Sequence, residues 1–124
     1  MRAADTIEKI TANNPQYLTK HKKKILGLCD RATNKELRWH LAQLIPRLHL
    51  EPTELGRAWS ILTNWAKDKN NSRIVRVNSL QALFDLTSQD KSLLSDFYST
   101  LFELEKENIP SIKARIRIIK EQIK

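Results

Sequence analysis

Apolar residues recur along the chain at helical spacing in seven stretches divided by short polar breaks, which predicts seven helices and no strands. The first runs from Met1 to about Ala12 on Ala3, Ile7 and Ile10. Asn13-Asn14-Pro15 ends it, and the proline suits the opening turn of the next helix, where its missing N–H costs nothing. The second covers Gln16 to Cys29 with Leu18, Ile25 and Leu28 inward. A third follows from Lys35 to His49 on Leu37, Leu41, Leu44, Ile45 and Leu48, its last turn kinked by Pro46. Pro52 opens the fourth, which runs to about Lys67 on Leu55, Trp59, Leu62 and Trp65. Ser72 is a good N-cap for the fifth, reaching Leu86 or Thr87. Beyond Ser88-Gln89-Asp90 the sixth buries Leu93, Leu94, Phe97, Leu101 and Leu104, and Asn108-Ile109-Pro110 restarts the chain as the seventh. Every link is short, so consecutive helices must fold back as antiparallel hairpins.

Alternate helices repeat one another. With Ala3, Leu41, Ser79 and Ile116 in one column, spaced 38, 38 and 37 residues apart, the offsets +3, +4 and +7 give Thr6/Ile7/Ile10, Leu44/Ile45/Leu48, Ala82/Leu83/Leu86 and Ile119/Lys120/Ile123. Only Lys120 breaks the apolar pattern among the last three units, and it lies where a capping helix should turn polar. The intervening helices align on Leu18, Leu55 and Leu93. A period of this length implies stacked helix pairs whose core exists only because neighbours touch. The chain therefore reads as a single all-α domain, residues 1–124, in units of approximately 1–13, 14–49, 50–87 and 88–124.

The pair Val75-Arg76 followed by Ser79, Ala82, Leu83 and Leu86 resembles the second helix of a HEAT repeat, and Leu37-Arg38 and Ile112-Lys113 repeat the pair. More closely, Glu36 through Leu44 and Ser72 through Leu86 resemble a group of small bacterial HEAT-domain proteins of unassigned function. The resemblance implies a right-handed α-α superhelix, a solenoid whose second helices line the concave side. It is nearly silent on activity, because fold does not imply function. The first unit departs from the pattern: it begins inside its second helix and has no basic residue in the Arg38/Arg76 column. Either the array is truncated there or this helix caps the stack, and an uncovered edge would favour self-association.

Charge adds a direction. The net charge is +8 with pI near 9.8, and most of the excess falls on the second helices, so the concave side should be basic and suited to anionic partners. The sixth helix, with Asp90, Asp96, Glu103, Glu105 and Glu107, should make part of the convex side acidic. Basic surface is expected at Lys20, Lys22, Lys23, Lys24, Arg73, Arg115 and Arg117. The run from Lys20 to Lys24 reads either as a phosphate-contacting patch or as a solvated helix face whose lysines complement the macrodipole. Arg38, Arg76 and Lys113 share one column. By the HEAT resemblance such residues form an internal structural ladder, with Asp30, Asp68 and Asn70 available as partners.

Trp39 points away from the core stripe of its helix. Its column mates are Val77 and Ala114; one turn on lie Gln43, Gln81 and Ile118, with Phe84 on a similar heading. Together they make an apolar strip between basic side chains, suited to a helical or extended peptide with acidic flanks. The alternative is that Trp39 packs between repeats. Trp59 and Trp65 lie on inward columns and read as core.

Catalytic patterns are missing. His21, His40, His49 and one cysteine offer no zinc spacing, no nucleophile–base motif is marked, and Gly27 and Gly56 sit isolated inside helices. A HEAT-like DNA glycosylase would share only the fold, the charge sign and Trp39, with no carboxylate expected beside that residue except Glu36. Neither metal nor cofactor is implied. Cys29 can close no internal disulfide, no apolar stretch reaches the length of a membrane span, and no signal-peptide core is evident, which together suggest a cytoplasmic protein. The expected function is a non-enzymatic scaffold binding a protein on its concave face; nucleic-acid binding through the basic face is the alternative.

Overall fold

Local sequence signals set the helix boundaries. The computed structural model describes residues 16–123, with side chains from residue 22 onward. The first predicted helix, and the self-association edge assigned to it, lie outside the described residues. Within them the chain is all-helical: α1 (Gln16–Arg31), α2 (Lys35–Leu44), α3 (Pro52–Lys67), α4 (Arg73–Leu86), α5 (Leu94–Glu105) and α6 (Pro110–Ile123). Asn34 caps α2 by accepting the N–H groups of Glu36 and Leu37. Ser72 caps α4 through Val75 N–H, and the Glu54 carboxylate reaches back to Glu51 N–H at the start of α3.

Pro46 does more than kink its helix. Without an N–H to continue the α ladder, the chain tightens into a 3-10 turn over Ile45–Arg47 and becomes extended at Leu48, so this helix stops short of His49. A second 3-10 turn, Lys91–Leu93, leads into α5. Asn108 adopts φ 56°, a left-handed conformation that asparagine tolerates better than most residues, and this turns the chain from α5 into α6.

The helices pack as three hairpins, α1 with α2, α3 with α4 and α5 with α6. Across hairpins α2, α4 and α6 touch in series, as do α1, α3 and α5, and α4 is the hub between α2, α3 and α6. The core runs the length of both rows. Ile25, Leu41, Leu44, Leu62, Leu80, Leu83, Leu86 and Phe97 are fully buried, each aliphatic one contributing about 2 kcal/mol. Phe97 ties three helices, its ring lying 6.5 Å from that of Trp59 on α3 and 5.8 Å from that of Phe84 on α4. Trp59 and Trp65 are buried as expected, while Leu28, Leu37, Leu93 and Leu94 are only half-buried, because they sit at the edge of the stripe.

Polar links join successive hairpins. Arg38, Arg76 and Lys113 each stand four residues beyond the N-cap position of their helix, their own N–H donating to Asn34, Ser72 and Ile109 carbonyls respectively. Arg38 Nε donates to Ala32 O at 2.8 Å, its Nη1 donates to Asn71 in the next hairpin's loop, and the guanidinium lies over the Trp65 ring. Arg76 repeats this: Nε to Ala66 O at 2.9 Å, Nη2 to Glu107 at 2.6 Å in the following loop. Lys113 reaches Asn108 at 3.3 Å. These partners replace the expected Asp30, Asp68 and Asn70. Asp30 instead pairs with Arg57, and Asp68 accepts the N–H of Asn70 to close the loop. On the other row Trp59 Nε1 donates to Asp96 at 2.7 Å. The Gln89 amide bonds both Leu48 O and Leu50 N–H, closing the neighbouring loop like a strand edge.

Arg76 is 2% exposed, so removing it strands a carbonyl and a carboxylate at once. Arg76→Ala is expected to cost about 3 kcal/mol in urea denaturation, as for loss of one partner of a buried pair. A Cβ added at Gly27 or Gly56 meets nothing within 4 Å. Gly27→Ala and Gly56→Ala should each stabilise by about 0.5–1 kcal/mol, read as a raised Tm in thermal melts.

Candidate docking groove

The C-terminal ends of α2, α4 and α6 diverge around a groove of about 790 Å3, closed on its fourth side by the start of α5. Phe84, Leu94, Tyr98 and Ile123 form an apolar floor and back wall. Gln43, Gln81, Asp85, Arg47 and Lys91 stand around it. Of the six residues expected to bind a partner, the structure brings Gln43, Gln81 and Phe84 together here. Trp39, Val77 and Ile118 do not line the groove.

The expected apolar strip is broken by polar ties between the helices. Gln43 Nε2 donates to Asn78 Oδ1 at 3.3 Å, and Asn78 Nδ2 turns back to Ile74 O at 2.8 Å. Arg115 Nη1 donates to Gln81 Oε1 at 3.2 Å, and Gln81 Nε2 donates to Asp85 Oδ1 at 3.0 Å. Arg115 Nε is buried with no hydrogen-bond partner among the described residues. Trp39 is half-buried against the core with its indole stacked on His40 at 3.9 Å, and Val77 is half-buried against the same core. Ala114 and Ile118 of the strip are exposed.

Asp85 is a carboxylate at the groove that follows Gln81 by one turn and shares its heading. The residue is exposed overall, but partial shielding of its carboxyl pushes it up from the usual range, against the opposing pull of the Gln81 hydrogen bond and the Arg115 charge.

Lys22 ties α1 to the start of α3, pairing with Glu54 at 2.8 Å and donating to His49 O at 3.1 Å. Its hydrogen bond is the main reason the Glu54 carboxyl is held below the usual range. Lys23, Lys24, Arg73 and Arg117 are exposed, Arg115 is half-buried, and the Lys20 side chain lies outside those described. Nor does α5 present a free acidic surface. Asp96 takes the Trp59 N–H, and Glu103, Glu105 and Glu107 pair with Lys67, Lys120 and Arg76.

The expected set omitted Asn78, Asp85, Leu94, Tyr98 and Ile123. Leu94 and Tyr98 come from α5, which does not share the column of α2, α4 and α6. Among the described residues no cluster of three or more His, Cys, Asp or Glu could hold a metal ion, and no helix is long and apolar enough to cross a membrane. No family model, curated protein or solved structure matches the chain.

The raised Asp85 carboxyl fixes a sign. Ionisation there is disfavoured in the folded state, so the penalty is present at neutral pH and disappears as pH falls below the unfolded carboxylate range. Asp85→Asn is expected to raise Tm near pH 7, with the gain vanishing towards about pH 3 in thermal melts. A lowered Tm at neutral pH would mean that attraction to Arg115 outweighs desolvation.

Proposed function

We propose that the chain is a non-enzymatic helical-repeat scaffold, a HEAT-like right-handed α-α superhelix in the cytoplasm, that captures a segment of a protein partner in the groove. The observation that carries this reading is the groove itself: an apolar floor of Phe84, Leu94, Tyr98 and Ile123 under a rim bearing Arg47 and Lys91. Such a floor accepts two or three apolar side chains of an extended or helical peptide, and the two cations suit acidic residues beside them. The recurring contacts of Arg38, Arg76 and Lys113 support the repeat reading, since each hairpin uses the same position of its inner helix. A single buried thiol at Cys29 accords with a reducing compartment. Nucleic-acid binding is the second reading, favoured by the net charge of +8 and the exposed Lys23, Lys24, Arg73 and Arg117.

The two readings part in a pull-down from bacterial lysate at about 150 mM salt, with and without nuclease, since phosphate contacts weaken steeply with salt. Ser88→Trp, which fills the groove, and Lys91→Glu should abolish capture of a protein retained after nuclease treatment. Both sites are exposed, so stability should change by less than about 1 kcal/mol. Capture that vanishes with nuclease and ignores both variants would establish the nucleic-acid reading instead.

A further inference from the structure

The two inner rungs of the ladder each span two loops, and the third does not. Arg38 joins Ala32 O of its own hairpin to Asn71 of the next, and Arg76 joins Ala66 O to Glu107. Lys113, at the same position of α6, touches only Asn108 of its own loop. Its ammonium therefore stands where, in both earlier units, an oxygen of a following unit accepts.

The surface around it is of one kind. On α5, Asp96 and Glu103 mark the side facing α3, through Trp59 and Lys67. At 100° per residue Tyr98 and Phe102 project to the opposite flank. Phe102 is 62% exposed, the most of any large apolar side chain described, with Lys106 Nζ 4.3 Å from its ring centroid. On α6, Arg115 marks the side facing α4 through Gln81, and Lys113, Arg117 and Lys120 project away from it. Glu105 pairs with Lys120 at 3.0 Å, and Lys106, Lys113 and Arg117 are exposed, Lys106 against Phe102 and the other two on the heading of α6 opposite Arg115.

We propose that this α5/α6 flank docks an acidic amphipathic helix of a partner protein, which places apolar side chains on Phe102 and Tyr98 and carboxylates on Lys113 and Arg117. The molecule supplies its own template. α5, an apolar helix edged by Asp96 and Glu103, lies against α3 and gives carboxylates to Trp59 and Lys67, and Glu107 in the loop that follows it gives one to Arg76 of α4. Charge argues against a second copy as the occupant. The whole chain carries +8, so two copies repel. A single-stranded nucleic acid would satisfy the cations and stack a base on Phe102, and competition by polyuridylate separates that occupant from a protein helix. The flank meets the groove at Tyr98, but Phe102, Lys113 and Arg117 do not line the groove, so variants at those positions report on the flank alone.

The test is fluorescence anisotropy with a labelled peptide of the sequence of residues 88–109, titrated with the 124-residue chain. Binding is expected to weaken about tenfold in Phe102→Ala and in Arg117→Glu, and to hold within about twofold in Lys69→Glu, an equal charge change on an exposed loop. Both flank positions are exposed, and circular dichroism of each variant verifies folding. Absence of binding by the wild-type chain overturns the proposal. So does equal weakening in all the charge variants with Phe102→Ala unaffected, competition by polyuridylate as strong as by unlabelled peptide, or a dimer mass in light scattering that Phe102→Ala abolishes.

Discussion

The buried guanidinium of Arg76 is the constraint on which the stack depends. A charge at 2% exposure is tolerable only if every face of it is answered, and here a helix-terminal carbonyl and a carboxylate answer it from two different hairpins. Apolar burial between helices is indifferent to small slides and rotations. A planar fork held at 2.9 Å and 2.6 Å is not, so Arg76 fixes the register of α4 against both the end of α3 and the loop before α6. Arg38 does the same one unit earlier with a neutral amide in place of the carboxylate.

That requirement shapes how the chain spends its acidic residues. α5 looks from composition like a surface meant for solvent, yet Asp96, Glu103 and Glu105 on it and Glu107 in the loop after it reach α3, α4 and α6. Three of these links pair one acid with one base and so leave the balance of charge unchanged; only Asp96, which accepts from a neutral indole N–H, withdraws an acid without a matching cation.

The elements most legible in the sequence were those fixed by local chemistry. Proline at the start of α3 and α6 and serine before α4 mark helix ends by backbone donors, which do not depend on the rest of the fold. The common column of Arg38, Arg76 and Lys113 was visible as a period. Their partners were not, because Asn71, Glu107 and Asn108 lie in loops whose path depends on where each helix stops, and Asn108 takes a left-handed conformation that spacing alone does not announce. The groove was half legible for a related reason. Gln43, Gln81 and Phe84 share a helical heading, but Leu94 and Tyr98 join them only through the antiparallel return of α5, and an outer helix contributes to an inner face only at its end. Trp39 shows the limit of heading as an argument: its indole points away from the core stripe and still finds shelter on the ring of the next residue.

Cys29 lies 3% exposed on α1, and burial pushes its thiol up to about 12, with the Arg57 charge opposing only weakly. At neutral pH the thiolate is therefore scarce in the closed state, and oxidants and alkylating agents find little to react with. α1 is joined to α3 by Lys22–Glu54, which is half-buried, and by Asp30–Arg57, which is at the surface and weakened by salt. Any excursion that lifts α1 exposes the sulfur and restores its ordinary reactivity. The cysteine thus keeps a chemical record of time spent open, and the extent of its irreversible oxidation in an aged sample is a clock for the opening of α1.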